Sequence, residues 1–130
     1  MSILLQNVQL NDQKTDVLIE NSRFKKIASN QDICGKEVID CSNKAILPAF
    51  YNTHSHAGMS LFRGISDDKD LFDWLNHDIW PREARLTPEM IYTATKFSIL
   101  EMVKTGTTFF ADMYFEPEMI LKAVAEMGVR

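Results

Sequence analysis

The rhythm of apolar positions changes once along the chain, close to Lys44. Ahead of that point the apolar residues come in short, partly alternating runs. Between Ser2 and Leu10 the anchors are Ile3, Leu5 and Val8, a weak alternation that ends in the turn residues Asn11-Asp12-Gln13. Two further runs, Asp16 to Glu20 around Val17-Leu18-Ile19 and Phe24 to Ala28, flank Asn21-Ser22-Arg23 and predict a hairpin. Glu37-Val38-Ile39-Asp40 is the last of these strands, and Ser42-Asn43-Lys44 turns the chain out of it. The pattern predicts a small β domain over residues 1–47.

Beyond Lys44 the runs lengthen. Ala45-Ile46-Leu47-Pro48-Ala49-Phe50-Tyr51 is nearly continuous in apolar residues, as expected of a strand buried on both faces. A long polar loop containing Asp67-Asp68-Lys69-Asp70 follows, and Leu71, Trp74, Leu75 and Ile79 then fall at helical spacing. That spacing predicts a short helix, stopped by Pro81. A longer helix is predicted from Pro88 to about Lys104, with Thr87 as N-cap, Pro88 in the first position and Glu89 in the first turn. Its faces carry Ile91, Ala94, Thr95, Phe97, Ser98, Leu100 and Glu101, and Gly106 ends it. Thr107-Thr108-Phe109-Phe110-Ala111-Asp112 reads as a strand by its β-branched and aromatic content. Another helix starts near Pro117, carries Met119, Ile120, Ala123, Val124 and Met127, and closes at Gly128. Val129-Arg130 reads as the start of a third strand. Strand, helix, strand, helix over residues 48–130 is the pattern of a parallel α/β sheet or barrel.

Composition narrows the function classes. The chain has 130 residues, 45% of them hydrophobic and 25% charged, an ordinary globular balance that argues against disorder. A net charge of −4 leaves no basic footprint for nucleic acid or an anionic membrane. No apolar run approaches the roughly 20 residues of a membrane helix. Met1-Ser2-Ile3-Leu4-Leu5-Gln6-Asn7 lacks the basic start and apolar stretch of a signal peptide. Cys34 and Cys41 are too few for a disulfide framework and lack CxxC spacing, so they predict reduced thiols in a cytoplasmic protein.

The candidate chemistry is Asn52-Thr53-His54-Ser55-His56, at the C-terminal end of the apolar strand. Residues two apart on a strand point to the same side, so His54 and His56 can aim both imidazoles at one point. That is the reach needed for a shared zinc at roughly 2.0–2.1 Å per nitrogen. In α/β barrels the chemistry collects at this end of the strands. Histidines at this spacing also arise by chance, as solvated or core residues, and context decides between the two.

Leu47-Pro48-Ala49-Phe50-Tyr51-Asn52-Thr53-His54-Ser55-His56 resembles the PGxxNxHxH opening of the amidohydrolase superfamily. The resemblance continues through Met59-Ser60-Leu61-Phe62-Arg63-Gly64, Asp73-Trp74-Leu75, Ile79 to Leu86 and Gly106 to Tyr114, and is specific to the branch of chlorohydrolases and S-adenosylhomocysteine/5′-methylthioadenosine deaminases. It implies an α/β fold in which the first two units of a (β/α)8 TIM-type barrel follow part of a small β-sandwich domain. It implies that His54 and His56 are the first ligands of one divalent metal, usually zinc and sometimes iron. Glu83 matches a glutamate that contacts ribose hydroxyls, and Trp74 an aromatic of the substrate pocket. Read from the residues alone, Glu83 is a surface charge beside Arg82 and Arg85, and Trp74 is as readily a core residue. Asp112 receives no catalytic role, and His77, between Asn76 and Asp78, reads as solvated. Ala49 stands where the family has glycine and Tyr51 where it has an aliphatic residue.

The activity implied is hydrolysis of a C–N bond in a small molecule, with an adenosine-like nucleoside or related amino-heterocycle deaminated by metal-activated water. Triazine-type dechlorination is the rival within the branch, and a non-catalytic interaction module the rival outside it. The remaining ligand, proton-shuttling and water-activating residues would fall after Arg130. A closed barrel takes about 250 residues, so the chain reads as the N-terminal fragment of a longer enzyme. By itself it is expected to be inactive, and its open sheet edge and uncovered apolar faces predict a homo-oligomer or aggregation.

Overall fold

Two tight turns order the first strands in the computed structural model, which describes residues 2–28 and 33–130. Asn11 and Asp12 have φ of 47° and 62°, and Asn21 and Ser22 of 49° and 60°. Positive φ at both central residues suits the right-handed twist of a hairpin, and Asn and Asp tolerate it best after glycine. The turns join β1 (Ser2–Leu10) to β2 (Gln13–Glu20) and β2 to β3 (Arg23–Ala28). Strand β4 (Glu37–Asp40) returns parallel to β1, giving the order β3-β2-β1-β4.

The weak alternation in β1 has a physical cause. Leu5 pairs with Val17 but Val8 with Thr15, so β1 carries one residue more than its partner. The extra residue is a bulge at which Asn7 takes φ 59° and donates its N–H to Asp16 Oδ1 at 2.9 Å. It returns Leu5 and Val8, three apart, to one face of the sheet. There Val8, Val17 and Cys41 are buried, with Leu5, Ile19, Ile39 and Ile46 packed against them. Leu4, absent from the expected anchors, is buried on the other face. A Cβ added to Gly35 would stand 2.8 Å from Leu4 Cβ, so the chain passes over Leu4 too closely for any other residue. These strands belong to a first compact unit, Met1–Pro48; a second spans Ala49–Arg130.

In the second unit two expectations are corrected. The strand after the apolar run is β5 (Phe50–Ser55), starting later than the run, and it is not buried on both faces: Phe50 and Tyr51 are 63% and 71% exposed. Among the described residues, only β6 (Thr107–Asp112) pairs with it, in parallel. The loop after it is also more regular than expected, beginning with a 3₁₀ turn over Ala57–Phe62. The second correction is Pro81, which does not stop the helix. Helix α1 (Leu71–Asp73) is capped by the Asp70 carboxylate and widens into a π turn over Trp74–Ile79. There Trp80 N–H reaches Leu75 O, five residues back, and Pro81 rides in the first turn of α2 (Trp80–Glu83). A proline has no N–H to give and clashes with a carbonyl four back; a π turn followed by a fresh helical start avoids both.

Helix α3 (Pro88–Lys104) starts as expected, with Thr87 Oγ1 accepting Met90 N–H at 3.3 Å. It buries Ile91, Ala94, Thr95, Ser98 and Ile99, a repeat of three and four residues. Helix α4 (Pro117–Met127) ends at Gly128, in the left-handed conformation. Ala57, Ile91, Ile99, Phe110, Ile120 and Ala123 form one buried cluster under α3 and α4. Arg130 donates its N–H to Thr108 O at 3.0 Å and accepts from Phe110 N–H at 2.9 Å, the bonding of a parallel strand beside β6. The fold is α/β. Among the described residues, no helix is long and apolar enough to cross a membrane.

The asymmetry of α3 is testable. Ile99 has no exposed surface, whereas Leu100 is 48% exposed. Ile99→Ala should lower unfolding free energy by about 2–5 kcal/mol, and Leu100→Ala by less than about 1 kcal/mol, measured by denaturant titration.

Candidate functional site

Strand β5 delivers the two histidines as its period requires. Asn52 Oδ1 accepts His54 N–H at 3.3 Å and steadies the strand just ahead of the pair. The two Nε2 atoms then meet at 3.2 Å, with the rings edge to face. His56 Nδ1 lies 2.7 Å from Met113 O. A carbonyl only accepts, so Nδ1 carries the proton and the Nε2 lone pair faces His54. In the absence of a cation, His54 Nε2–H can donate to that lone pair.

The same geometry fits a metal. Two nitrogens on a tetrahedral zinc stand about 3.3–3.4 Å apart, and a ligating histidine ordinarily donates its other N–H to a carbonyl or carboxylate. The pair supplies two positions. Among the described residues, no group of three or more metal-capable side chains comes together.

The strand ends are tied to each other beneath the pair. Met113 N–H donates to Ser55 O at 3.0 Å, and Ala57 N–H to Asp112 Oδ1 at 2.8 Å. Asp112 is half-buried, and its Oδ2 is buried without a hydrogen-bond partner. Burial raises its pKa, opposed by the Ala57 N–H, the Ser55 hydroxyl and the His56 ring.

A cavity of about 390 Å³ opens beside His56, with Trp74, Leu75, Ile79, Glu83 and Tyr114 in its wall. Three of the four expected site residues thus share one lining: His56, Trp74 and Glu83. His54 stands at its edge through the contact with His56. Glu83 is half-buried, and its neighbour Arg82 turns back to the Asp78 carbonyl and carboxylate. His77 is exposed as expected, 2.7 Å from Asp73 Oδ1. Tyr114 is a wall residue to which the sequence alone assigns no role. Its ring lies on Gly58, where an added Cβ would collide with it, and its hydroxyl is buried without a partner. Burial, and then the nearby Glu83 carboxylate, push its pKa upward. The signal available was its place just after a strand's C-terminal end.

A pair of strand-end histidines thus stands beside a largely apolar cavity in an α/β unit. The chain belongs to the amidohydrolase family, whose description matches residues 45–130. It is 47% identical over 130 residues to the 5′-deoxyadenosine deaminase of Methanocaldococcus jannaschii, covering 98% of this chain and 31% of that enzyme. It is 43% identical over 139 residues to the 5-methylthioadenosine/S-adenosylhomocysteine deaminase of Carboxydothermus hydrogenoformans, covering all of this chain and 32% of that enzyme. Among solved structures it is similar to an adenosine deaminase from Xanthomonas campestris with bound zinc, with TM-score 0.89 and 26% identity over 98% of this chain and 32% of that one. The chain therefore spans about a third of the length of the relatives it matches.

The Tyr114–Gly58 stack gives a direct check. Gly58→Ala should cost about 1–3 kcal/mol of stability by overpacking, and Gly58→Ala with Tyr114→Ala should cost less than the two changes summed. A double-mutant cycle by denaturant titration measures this.

Proposed function

We propose that this segment carries the first metal ligands and part of the substrate pocket of a zinc-dependent deaminase acting on an adenosine-like nucleoside. The observation that carries the reading is the convergence of His54 Nε2 and His56 Nε2 at 3.2 Å beside a cavity walled by Trp74 and Glu83. The deaminases among its relatives, at 43% and 47% identity, support the C–N bond as the one cleaved. The zinc of the Xanthomonas structure supports the metal, with iron the alternative.

The metal, when bound, supplies a nucleophile at neutral pH by lowering the pKa of water. The chain's own residues do the rest of what is proposed here. His54 and His56 hold the ion. The Nδ1–H of His56, held by Met113 O, keeps that ring in the ligating tautomer. Glu83 accepts hydrogen bonds from neighbouring sugar hydroxyls, as a carboxylate with two oxygens can. Trp74 offers a flat apolar face to the purine. The further ligands and the acid–base groups are proposed to lie outside residues 1–130.

On the same reading, residues 48–130 form the opening two βα units of a (β/α)8 barrel, and residues 1–47 form part of a β-sandwich domain. The two free thiols, Cys34 and Cys41, support a cytoplasmic setting.

The test is ammonia release by the complete, metal-loaded protein from 5′-deoxyadenosine and methylthioadenosine. His56→Ala should remove both metal and turnover. Glu83→Gln should raise KM for the nucleosides about 10–100-fold with kcat little changed, the pattern of a lost binding contact. No ammonia release, alongside chloride release from a chlorotriazine, would overturn the nucleoside reading in favour of dechlorination.

A further inference from the structure

The peptide of Ala57, the residue after His56, is gripped at both ends. Its N–H donates to Asp112 Oδ1 at 2.8 Å, and its C=O accepts the Ser98 hydroxyl at 2.8 Å. Ala57 is 3% exposed, so neither bond competes with bulk water. The two grips come from different elements, Asp112 from the end of β6 and Ser98 from the middle of α3. Met113, next to Asp112, donates its N–H to Ser55 O and receives the His56 Nδ1 proton on its own carbonyl. The residues on both sides of His56, and the ring itself, are thus fastened to Asp112 and Met113.

The side chain at 112 is not a neutral choice. Its Oδ2 is buried without a partner, and burying an unpartnered carboxylate oxygen is costly. A residue serving stability alone would avoid that cost. Of the groups that favour the carboxylate, the Ala57 N–H at 2.8 Å is the one that ties it to the peptide following His56.

We propose that Asp112 is a positioning residue for the histidine pair: with Ser98 it fixes the Ala57 peptide and so holds His56 Nε2 toward His54. The proposal rests on the reading of that pair as metal ligands, and its test separates the two. The complete protein is prepared metal-free with ¹⁵N-labelled histidine, and the ring-nitrogen shifts of His56 are read by NMR. The same samples are then titrated with Co²⁺ and followed by visible absorption.

Wild-type protein should show His56 in the Nδ1–H form. Asp112→Ala should spread it over both tautomers and weaken Co²⁺ binding about 10–100-fold, as loss of an outer-shell partner does. Asp112→Asn retains an acceptor for Ala57 N–H and should stay close to wild type in both readouts. Ser98→Ala loosens the same peptide from its other end without touching either histidine, and should move both readouts in the direction of Asp112→Ala. A folded Asp112→Ala with unchanged tautomer and affinity overturns the proposal, as does an Asp112→Asn as damaging as Asp112→Ala. If Asp112→Ala does not fold, Ser98→Ala decides, and no change in either readout overturns it. Wild-type protein that takes up no Co²⁺ would sink the metal reading, while the His56 tautomer in metal-free protein would still decide this one.

Discussion

The parallel pairing of β5 with β6 is the constraint on which the site depends. It sets Ser55, His56 and Ala57 beside Asp112, Met113 and Tyr114, the C-terminal ends of two neighbouring strands. Each strand end supplies what the other lacks. Strand β5 brings two imidazoles to the same side, and the end of β6 brings the Asp112 carboxylate that accepts Ala57 N–H and, one residue on, the Met113 carbonyl that faces His56 Nδ1. Helix α3, which links the strands, closes the arrangement from below through Ser98 and the buried stripe around Ile99. Chemistry at the C-terminal ends of parallel strands follows from this geometry, because the connecting segments leave the sheet there and their side chains converge.

The placement of unsatisfied groups fits a site. Buried side-chain atoms without partners among the described residues are Thr95 Oγ1, Asp112 Oδ2 and the Tyr114 hydroxyl. Folded proteins keep few such groups, and each calls for a reason. Two of the three lie within a residue or two of Met113, the partner of His56. The exposed apolar residues tell a related story on the strands. Phe50 and Tyr51 of β5 are left largely uncovered, although they sit in the most apolar run of the sequence. Among the described residues only β6 pairs with β5.

Much of the fold was legible because local chemistry decided it. Asn11-Asp12 and Asn21-Ser22 are turn residues by type, and they take the positive φ that hairpins need. Thr87 and Pro88 mark the start of α3 and Gly128 the end of α4 through groups that act within a turn of themselves. What was misread depends on partners or on unusual helical bonding. The bulge at Asn7 shows in sequence only as a faltering alternation. Pro81 breaks an α-helix but not a π turn that restarts as helix, and spacing does not distinguish the two. That His54 and His56 point to one side was legible from strand period, whereas reading them as metal ligands needed the family resemblance. Singling out Glu83 and Trp74 needed a family resemblance, because helical spacing places Trp74 beside Leu75 and Ile79 without saying whether that face meets a core or a cavity. Asp112 was visible as a strand-end residue, but its bond to Ala57 spans 55 positions and requires the fold.

The most direct test of the histidine pair as an incomplete metal site is zinc binding by the 130-residue chain itself, beside its His56→Ala variant. Two ligands are fewer than the three protein ligands of a typical catalytic zinc, so the expected result is weak binding that dialysis removes and that His56→Ala abolishes. Near-stoichiometric zinc surviving dialysis would show that the ligand set is already complete. Weak binding that persists in His56→Ala would show that the pair is not the site.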